Sequence, residues 1–283
     1  MMSSTLLGME GCVDDPLDIY CRISNGDPHS GSGGVLPGGP FQIAAAGKTD
    51  TGCVRANNED EFVLLPKKSL YMVADGMGGH QSGEVASRMA VASVGRIFQA
   101  SPGLSASQRM ENLKTSVELA SDALFWKAQK NPDLFRMGTT IVALHLDELG
   151  GLFCAAHVGD SRIYRIRRGK IEQLTRDHSL INQLIDMGCT PEFAAQARRN
   201  IISRAVGLAE AVEADMQSGP IEAGDVFLLC SDGLTDVLYD EAILEVVLSH
   251  EEPEVACREL IQRANEGGGP DNITAVLVRA NKL

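Results

Sequence analysis

Short apolar or alternating runs recur along the chain from Phe41 onward, each bounded by glycine, proline or polar turn residues. Runs of about four to eight residues with this pattern predict β-strands. The predicted strands are FQIAAAG, EFVLL, LYMVAD, TTIVALHL, LFCAAHVG, SRIYRIRR, KIEQLT, DVFLLCSD and NITAVLVR. So many strands in one chain predict at least two packed sheets.

Segments with apolar residues at helical spacing lie between these runs. The segment 107–130 predicts a helix with an apolar face formed by Leu113, Val117, Ala120 and Leu124. Further helices are predicted at 82–100, 178–188, 240–249 and 253–265.

The order of these elements bears on the fold class. Strands follow strands and helices follow helices, and RRGK between two strand runs predicts a hairpin turn. A parallel doubly wound sheet would instead alternate strands and helices regularly. We therefore predict an α+β fold, a four-layer αββα sandwich of two antiparallel β-sheets flanked by helices.

The N-terminal region has a different composition. Residues 1–40 show little periodicity and end in NGDPHSGSGGVLPGGP. Such a Gly/Ser/Pro-rich tract cannot bury enough surface to offset its chain entropy, which predicts a flexible tail. The remaining residues, 41–283, are numerous enough for one domain with a sizeable core.

The net charge and the cysteines indicate which binding partners and which cellular compartment are expected. The net charge of −13 argues against a nucleic-acid partner and against binding to an anionic membrane surface. No apolar run approaches the roughly 18 residues of a membrane span. The seven cysteines are scattered, form no C-x-x-C pair and lie partly in apolar runs, which predicts reduced core residues. We expect a cytoplasmic monomer.

Carboxylates recur where apolar runs break into turns. Asp75 ends the run LYMVAD, just before GMGGH. A buried carboxylate must be paired, hydrogen-bonded or bound to a metal. Aspartates at several strand ends can converge at one edge of a sandwich and form an all-oxygen site for Mg²⁺ or Mn²⁺. No His/Cys cluster in the sequence predicts zinc. The other acidic residues placed like Asp75 are Glu59, Asp60, Asp160, Asp232 and Asp271.

Three other ligand motifs fail by spacing in the stretch after Asp75. A dinucleotide fingerprint beginning at Gly76 would need glycine where Gln81 stands. A calcium loop beginning at Asp75 would need Asp or Asn at Met77 and Gly79. The Gly-Lys-Ser/Thr of a phosphate-binding P-loop is absent from this stretch.

Six motifs, in order along the chain, resemble those of the metal-dependent Ser/Thr protein phosphatases, the PPM or type 2C family. They are RANNED, VADGMGGH, GTT, VGDSR, SDGLTD and GPDNIT, and the resemblance covers about residues 41–281. Any one motif is weak evidence, but six in order are specific. The forms DGMGGH and RANNED are similar to bacterial members.

The resemblance implies a ligand set for metal ions. Asp75 would bridge two core ions, Mn²⁺ or Mg²⁺, with the carbonyl of Gly76 on one of them. Asp232 and Asp271 would bind the other ion. Bacterial members also carry a third ion, for which the ligands would be Asp160 and Asp232.

The resemblance also implies roles around these ions. Glu59 and Asp60 would hold metal-bound waters, and Arg55 would bind the phosphate group of the substrate through its planar guanidinium. Eukaryotic members carry a general-acid histidine where this chain has Met77. His80 could serve instead, as could a metal-bound water.

The implied function is hydrolysis of phosphoserine and phosphothreonine in proteins by a metal-activated water, opposing a bacterial Ser/Thr kinase. Two alternatives stay open at this point, an inactive binding or sensor module with the same fold and a hydrolase of small phosphoesters. Residues 179–201 correspond to the variable flap of the family.

Several residues have simpler interpretations. Asp160 could be a turn residue that pairs with Arg162. The basic run RIYRIRRGK could guide an acidic phosphopeptide or could be a solvated hairpin face. His178 is expected to order the loop that follows it. Structural roles are expected for Thr139, Thr140, Asn272 and Thr274.

Overall fold

The computed structural model describes residues 41–78, 82–100, 105–198 and 201–282. The predicted tail, residues 1–40, lies outside the described residues. Eleven strands lie in the described part, namely β1 (Phe41–Asp50), β2 (Asp60–Leu65), β3 (Leu70–Met77), β4 (Gly138–Thr139), β5 (Ile141–Asp147), β6 (Leu152–Val158), β7 (Arg162–Arg167), β8 (Lys170–Gln173), β9 (Asp215–Pro220), β10 (Asp225–Cys230) and β11 (Ile273–Lys282).

The α-helices of the described residues are α1 (Ser82–Gln99), α2 (Ala106–Lys130), α3 (Leu180–Asp186), α4 (Pro191–Ala194), α5 (Asp232–Thr235), α6 (Asp240–Ser249) and α7 (Pro253–Glu266). Short 3₁₀ turns cover Pro66–Lys68 and Pro132–Leu134. Within this part of the chain, no helix combines the length and apolar character that a membrane span requires.

The strands form two antiparallel sheets. The first sheet has the order β1, β11, β10, β7, β8, and the second has the order β2, β3, β5, β6, β9, with β4 paired to β3. Helices α1 and α2 pack on the outer face of the second sheet, and α6 and α7 pack on the outer face of the first. The predicted αββα sandwich is confirmed.

Burial on both faces explains why the first five residues of β3 are all apolar. Tyr71 and Val73 face the first sheet in the central core, whereas Leu70 and Met72 face the helices in an outer core. A strand buried on both faces has no polar side, so the run LYMVA shows no alternation of apolar and polar residues. The next residue on the central side is Asp75, at the rim of the sandwich.

The structure departs from the predicted elements in a few places. Strand β9 was not predicted, because DMQSGP has neither alternation nor β-branched residues, and it forms by pairing with β6. The run predicted as one strand from Thr139 divides into β4 and β5. The helix predicted at 178–188 is shorter, and the short helices α4 and α5 were missed.

The hairpin prediction at RRGK is confirmed. Arg168 and Gly169 both have positive φ, 51° and 71°, which matches the twist of a two-residue hairpin turn between β7 and β8. The arginines of this hairpin are paired with acidic neighbours, since Arg165 contacts Glu172 and Arg167 contacts Asp225. These pairs compensate the arginine charges, which argues against guidance of an acidic peptide. Both arginine side chains are mostly buried, at 18% and 19% exposed, so they do not form a fully solvated face either.

The cysteine prediction is confirmed in part. Cys154, Cys230 and Cys257 are buried and free. Cys53, in contrast, is exposed, and Cys189 is partly exposed, so the expectation that all lie in the core is wrong for these two. Cys53 lies in a turn whose backbone amide bonds to Gly269, and that turn holds it at the surface.

Candidate metal centre

Strand pairing brings the five predicted aspartates to one edge of the sandwich. Asp60, the first residue of β2, lies directly opposite Asp75 near the end of β3. Asp232 follows β10, and Asp271 precedes β11, which pairs with β10. Asp160 lies just before β7, the other neighbour of β10. In an antiparallel pair, the end of one strand adjoins the start of the next, so these side chains lie along the same edge.

The environment of Asp75 disfavours its charged form. Burial raises the pKa of Asp75 well above its usual range, and the charges of Asp60, Asp232, Asp160 and Asp271 raise it further. A cation near Asp75 would remove this repulsion.

Asp60 is buried and only half satisfied. Its Oδ2 accepts hydrogen bonds from Ser231 Oγ at 2.7 Å and from Thr274 Oγ1 at 2.6 Å. Its Oδ1 has no partner within the described residues. Burial raises the pKa of Asp60 to about 7, despite the two hydroxyl donors, which lower it. The free oxygen is available to a water or a cation.

Asp160 and Asp232 repeat this pattern on the other side of the edge. Burial raises the pKa of Asp160 to about 7, with a further contribution from Asp232. Burial, followed by the charges of Asp236 and Asp271, raises the pKa of Asp232 to about 6. Oδ1 of both residues is buried without a hydrogen-bond partner in the described structure. Both line a cavity of about 310 Å³.

These residues fit the divalent cations that the sequence predicts. Asp60, Asp160 and Asp232 each offer a buried carboxylate oxygen that no described protein group satisfies. Carboxylate oxygens are the ligands that Mg²⁺ and Mn²⁺ prefer. Cations would compensate both the missing hydrogen bonds and the mutual repulsion.

Arg55 lies at the mouth of the site. Its Nη2 donates to Asp271 Oδ2 at 2.6 Å, and about half of its side chain is exposed. Its positive charge lowers the pKa of Glu59, although burial outweighs this effect and raises that pKa overall. Arg55 is therefore next to the carboxylates and open to a ligand from solvent.

Gly76 at the end of β3 packs closely against Gly83 in α1, and Gly83 packs against the Glu59 side chain. A Cβ on Gly76 would lie 2.1 Å from the carbonyl oxygen of Gly83, and a Cβ on Gly83 would lie 2.4 Å from Glu59 Oε2. The backbones of β3 and the start of α1 thus approach closely only because both residues are glycine. The predicted role of the Gly76 carbonyl as a ligand stays a prediction.

The four residues expected to be structural hold the site together. Thr140 Oγ1 accepts the Asp75 amide at 2.9 Å, and Thr139 Oγ1 donates to the Asp75 carbonyl at 2.8 Å. Asn272 Oδ1 accepts the Glu59 amide at 2.8 Å, which ties the loop of Glu59 to the start of β11. Thr274 donates directly to Asp60 and so orients a site carboxylate.

The sequence analysis did not predict the partners of two side chains, Asp60 and Arg162. Ser231 orients Asp60, and the signal for it was only its place beside Asp232 in the motif SDGLTD. The pairing of Asp160 with Arg162 is wrong, because the Arg162 guanidinium makes three hydrogen bonds to Asp177, at 2.7–3.1 Å. Oδ1 of Asp160 is buried without a hydrogen-bond partner in the described structure.

His80, the candidate general acid, lies outside the described residues. Met77, which stands where the eukaryotic branch has histidine, lies at the end of β3 opposite Gly138.

A second group of potential ligands lies behind Asp160. Within the described ranges, His157, His178 and Asp215 are the one set of His, Cys, Asp or Glu whose ligand atoms all lie within 4.8 Å of one another. These residues are 58 positions apart at most in sequence and belong to different strands and loops. No spacing motif could have predicted them.

Comparison with known proteins agrees with this geometry. The model of the family described as protein phosphatase 2C matches residues 54–267. Serine/threonine protein phosphatase PstP of Mycobacterium tuberculosis is 40% identical over 234 residues, which cover 82% of this chain and 44% of PstP. The chain thus spans less than half the length of that relative. Serine/threonine phosphatase stp of Listeria innocua is 36% identical over 83% of this chain and 95% of its own length.

Solved structures give the same result. The crystal structure of M. tuberculosis PstP/Ppp has a TM-score of 0.76 and 38% identity, covering 84% of this chain and 99% of that one. The catalytic domain of PstP in complex with two manganese ions has a TM-score of 0.74 and 37% identity, covering 85% of this chain and 99% of that one. The matched family model covers most of the chain and the fold matches those of solved relatives, and we conclude that the chain belongs to the protein phosphatase 2C family.

Proposed function

We propose that the protein is a metal-dependent phosphatase that hydrolyses phosphoserine and phosphothreonine in proteins. The observation that carries this proposal is the set of three buried carboxylate oxygens without partners in the described structure, beside the half-exposed Arg55. The relatives named above are serine/threonine phosphatases, and one of their structures contains manganese.

The proposed ligands of the core ions are Asp75, the Gly76 carbonyl, Asp232 and Asp271, and Asp160 with Asp232 would hold a third ion. Mn²⁺ or Mg²⁺ in such a site lowers the pKa of a bound water and stabilises charge on a phosphoryl group. Glu59 and Asp60 would accept hydrogen bonds from waters near these ions. Asp60 suits this role, because its Oδ2 is held by two hydroxyls while its Oδ1 is free of protein partners in the described structure.

Arg55 is the proposed phosphate-binding group. A guanidinium can donate to two phosphate oxygens at once, whereas lysine offers a point charge. Arg55 shares its Nη2 proton with Asp271 and stands at the open side of the carboxylates. A substrate phosphate bound by Arg55 would therefore lie next to the proposed core ligands. The proton for the leaving oxygen would come from His80 or from a metal-bound water.

The domain assignment is part of the proposal. Both sheets and all three hydrophobic cores of the described structure are built from Phe41 onward. Residues 41–283 would then form the phosphatase domain, with 1–40 as a flexible tail and a flap near 179–201 that carries α3 and α4. The ends of this flap are held together by a bridge between Ser179 and Ile202.

We further propose phosphoproteins as substrates, a cognate Ser/Thr kinase as the opposing enzyme, a monomeric state and a cytoplasmic location. The free cysteines of the described residues support a reducing compartment.

The test compares phosphoserine and phosphothreonine peptides with small phosphometabolites, each with Mn²⁺, with Mg²⁺ and with excess EDTA. We expect turnover of the peptides that requires the metal and is abolished by EDTA. Full activity in EDTA would refute the metal mechanism. Turnover of phosphometabolites alone would favour the small-phosphoester hydrolase, and metal binding without any turnover would favour an inactive module.

A further inference from the structure

Gly159, which precedes Asp160, packs against Thr140 on one side and hydrogen-bonds to His178 on the other. Its φ is +106°, and a Cβ there would lie 2.6 Å from Cγ2 of Thr140. On the other side, the Gly159 amide donates to Nδ1 of His178 at 3.1 Å, and the His178 amide donates to the Gly159 carbonyl at 2.9 Å. The backbone position of Asp160 thus depends on the His178 ring as well as on the His178 backbone.

The hydrogen bond from Gly159 determines the protonation state of the ring. A backbone amide can only donate, so Nδ1 of His178 must be an acceptor and the proton of the neutral ring must sit on Nε2. Burial lowers the pKa of His178, and the neighbouring His157 and Arg204 lower it further, which favours this neutral form. Only the neutral ring can accept the Gly159 amide.

Asp215 and Arg204 hold the ring in this orientation. Nε2 of His178 lies 3.3 Å from Asp215 Oδ2, and Arg204 Nη1 donates to Asp215 Oδ1 at 2.6 Å. The Nε2–H group makes no well-aligned hydrogen bond in the described structure, and the Asp215 carboxylate attracts it from 3.3 Å. The His157 ring stacks on the His178 ring with the centroids 4.7 Å apart.

These contacts argue against a metal ion at the group formed by His157, His178 and Asp215. Nε2 of His178 carries a proton, because Nδ1 accepts an amide. Nε2 of His157 lies 3.0 Å from the Arg176 carbonyl oxygen and must donate to it. The two rings stack with 22° between their planes, so their nitrogen lone pairs lie in two nearly parallel planes. The group is better suited to hold the backbone than to bind a cation.

We infer that His178 is a positioning residue, which fixes Asp160 for the third cation by accepting the Gly159 amide, while Asp215 and Arg204 hold its ring. The same residue joins the cation site to the base of the flap, because the Ser203 amide donates to the His178 carbonyl at 2.8 Å. This inference rests on the metal centre of the proposed function. Loss of such a supporting contact typically weakens metal binding about 10- to 100-fold.

The test replaces His178 by residues that imitate one ring nitrogen at a time. His178→Asn keeps an oxygen near the position of Nδ1 and can still accept the Gly159 amide, whereas His178→Gln places its polar end near Nε2 and His178→Ala removes both. Mn²⁺ binding is measured by calorimetry on the full chain, and occupancy at Asp160 by anomalous scattering from crystals. The control is His145→Asn, since His145 is buried against Phe98, on the far side of the second sheet.

We expect His178→Gln and His178→Ala to weaken the third cation at least tenfold while the core pair stays bound, and His178→Asn to retain most of the affinity. The His145 control should leave all cation affinities unchanged. Equal effects of Asn and Gln, no effect of any variant, or simultaneous loss of the core pair would overturn the inference.

A second pair of variants applies if the His178 variants do not fold. Asp215→Ala should weaken the third cation in the same direction, because the ring loses the charge that orients it. Asp186→Ala is the matched control, since Asp186 forms a comparable exposed ion pair with Arg176. Equal affinities in these two variants would refute the role of His178. If the wild-type chain itself binds no Mn²⁺, the proposed metal centre fails, and that outcome is distinct from failure of the His178 role.

Discussion

Asp60 and Asp75 lie directly opposite each other on the paired strands β2 and β3. Like charges in this arrangement destabilise a sheet. After burial, the charge of Asp60 is the largest contribution that raises the pKa of Asp75. Repulsion between the two carboxylates therefore lowers the stability of the fold when no cation is bound. The first two predictions follow from this relationship.

Asp75→Asn should abolish activity. The change removes the charge that is proposed to bridge the core ions, so Mn²⁺ affinity should fall and turnover should drop by orders of magnitude. In EDTA, however, the variant should melt at a higher temperature than the wild type at pH 8, because a buried repulsive charge is gone. Mn²⁺ titration of phosphatase rate and thermal melting measure the two effects.

The control for Asp75→Asn is Asp225→Asn, which alters a buried aspartate paired with Arg167 on another part of the first sheet. It should lower the melting temperature without changing the Mn²⁺ dependence of the folded enzyme. Wild-type Mn²⁺ affinity in Asp75→Asn would contradict the bridging role.

The metal-free protein should lose stability as the pH rises from 6.5 to 8. The folded pKa is about 7 for Asp60 and for Asp160, against 3.8 for an unperturbed aspartate. The folded chain then binds protons that the unfolded chain does not, so the stabilisation is complete below about pH 3.8, falls as the pH rises, and is fully lost once the pH has passed about 7. His145 has the opposite effect on stability, because burial lowers its pKa from 6.5 to about 4. Its contribution to stability increases as the pH rises between these two values. The pH range for the test therefore starts at 6.5.

Melting temperatures in EDTA at pH 6.5 and pH 8 measure this effect, and Asp60→Asn should reduce the difference between them. Added Mn²⁺ should stabilise the protein most at pH 8, because bound carboxylates must be deprotonated. A wild-type protein that melts at a higher temperature at pH 8 than at pH 6.5 in EDTA would show that these carboxyl groups do not dominate.

Asp160→Ala should separate the third cation from the core pair. Asp160 lies before β7 and lines the same cavity as Asp232. It is proposed to bind the third ion and neither of the core ions. We expect crystals soaked in Mn²⁺ to retain both core ions, with turnover reduced and its Mn²⁺ dependence altered. Empty core sites, or kinetics identical to the wild type, would show that this division between the aspartates is wrong.

Gly76→Ala should destabilise the site by displacing backbone. Its Cβ would lie 2.1 Å from the Gly83 carbonyl oxygen, and neither backbone can yield without moving Glu59. The control is Gly95→Ala in α1, where the nearest atom to the new Cβ is a flexible Leu65 methyl group at 3.3 Å and alanine favours the helix by about 1 kcal/mol. Thermal melting should fall for the first variant and hold or rise for the second. An unchanged melting temperature in Gly76→Ala would refute the close approach.

Local pattern determined a large part of the fold. The helix at 240–249 was predicted at its observed bounds, and the turn at Arg168 and Gly169 was predicted from RRGK. These elements depend on side-chain period and turn chemistry within a few residues. The missed strand β9 shows the limit, since its pairing with β6 comes from a partner about 60 residues away.

The sequence by itself indicated which carboxylates are candidate ligands, because each stands where an apolar strand breaks and six family motifs occur in order. The tertiary structure decided their partners. Asp60 is held by hydroxyls 171 and 214 positions away, and Arg162 binds Asp177 instead of the nearby Asp160. The physical reason is that the regular backbone of a strand or helix requires apolar residues at fixed spacing, and this pattern is visible in the sequence. Hydrogen bonds and charge pairs instead depend on strand register and on distances between residues far apart in sequence.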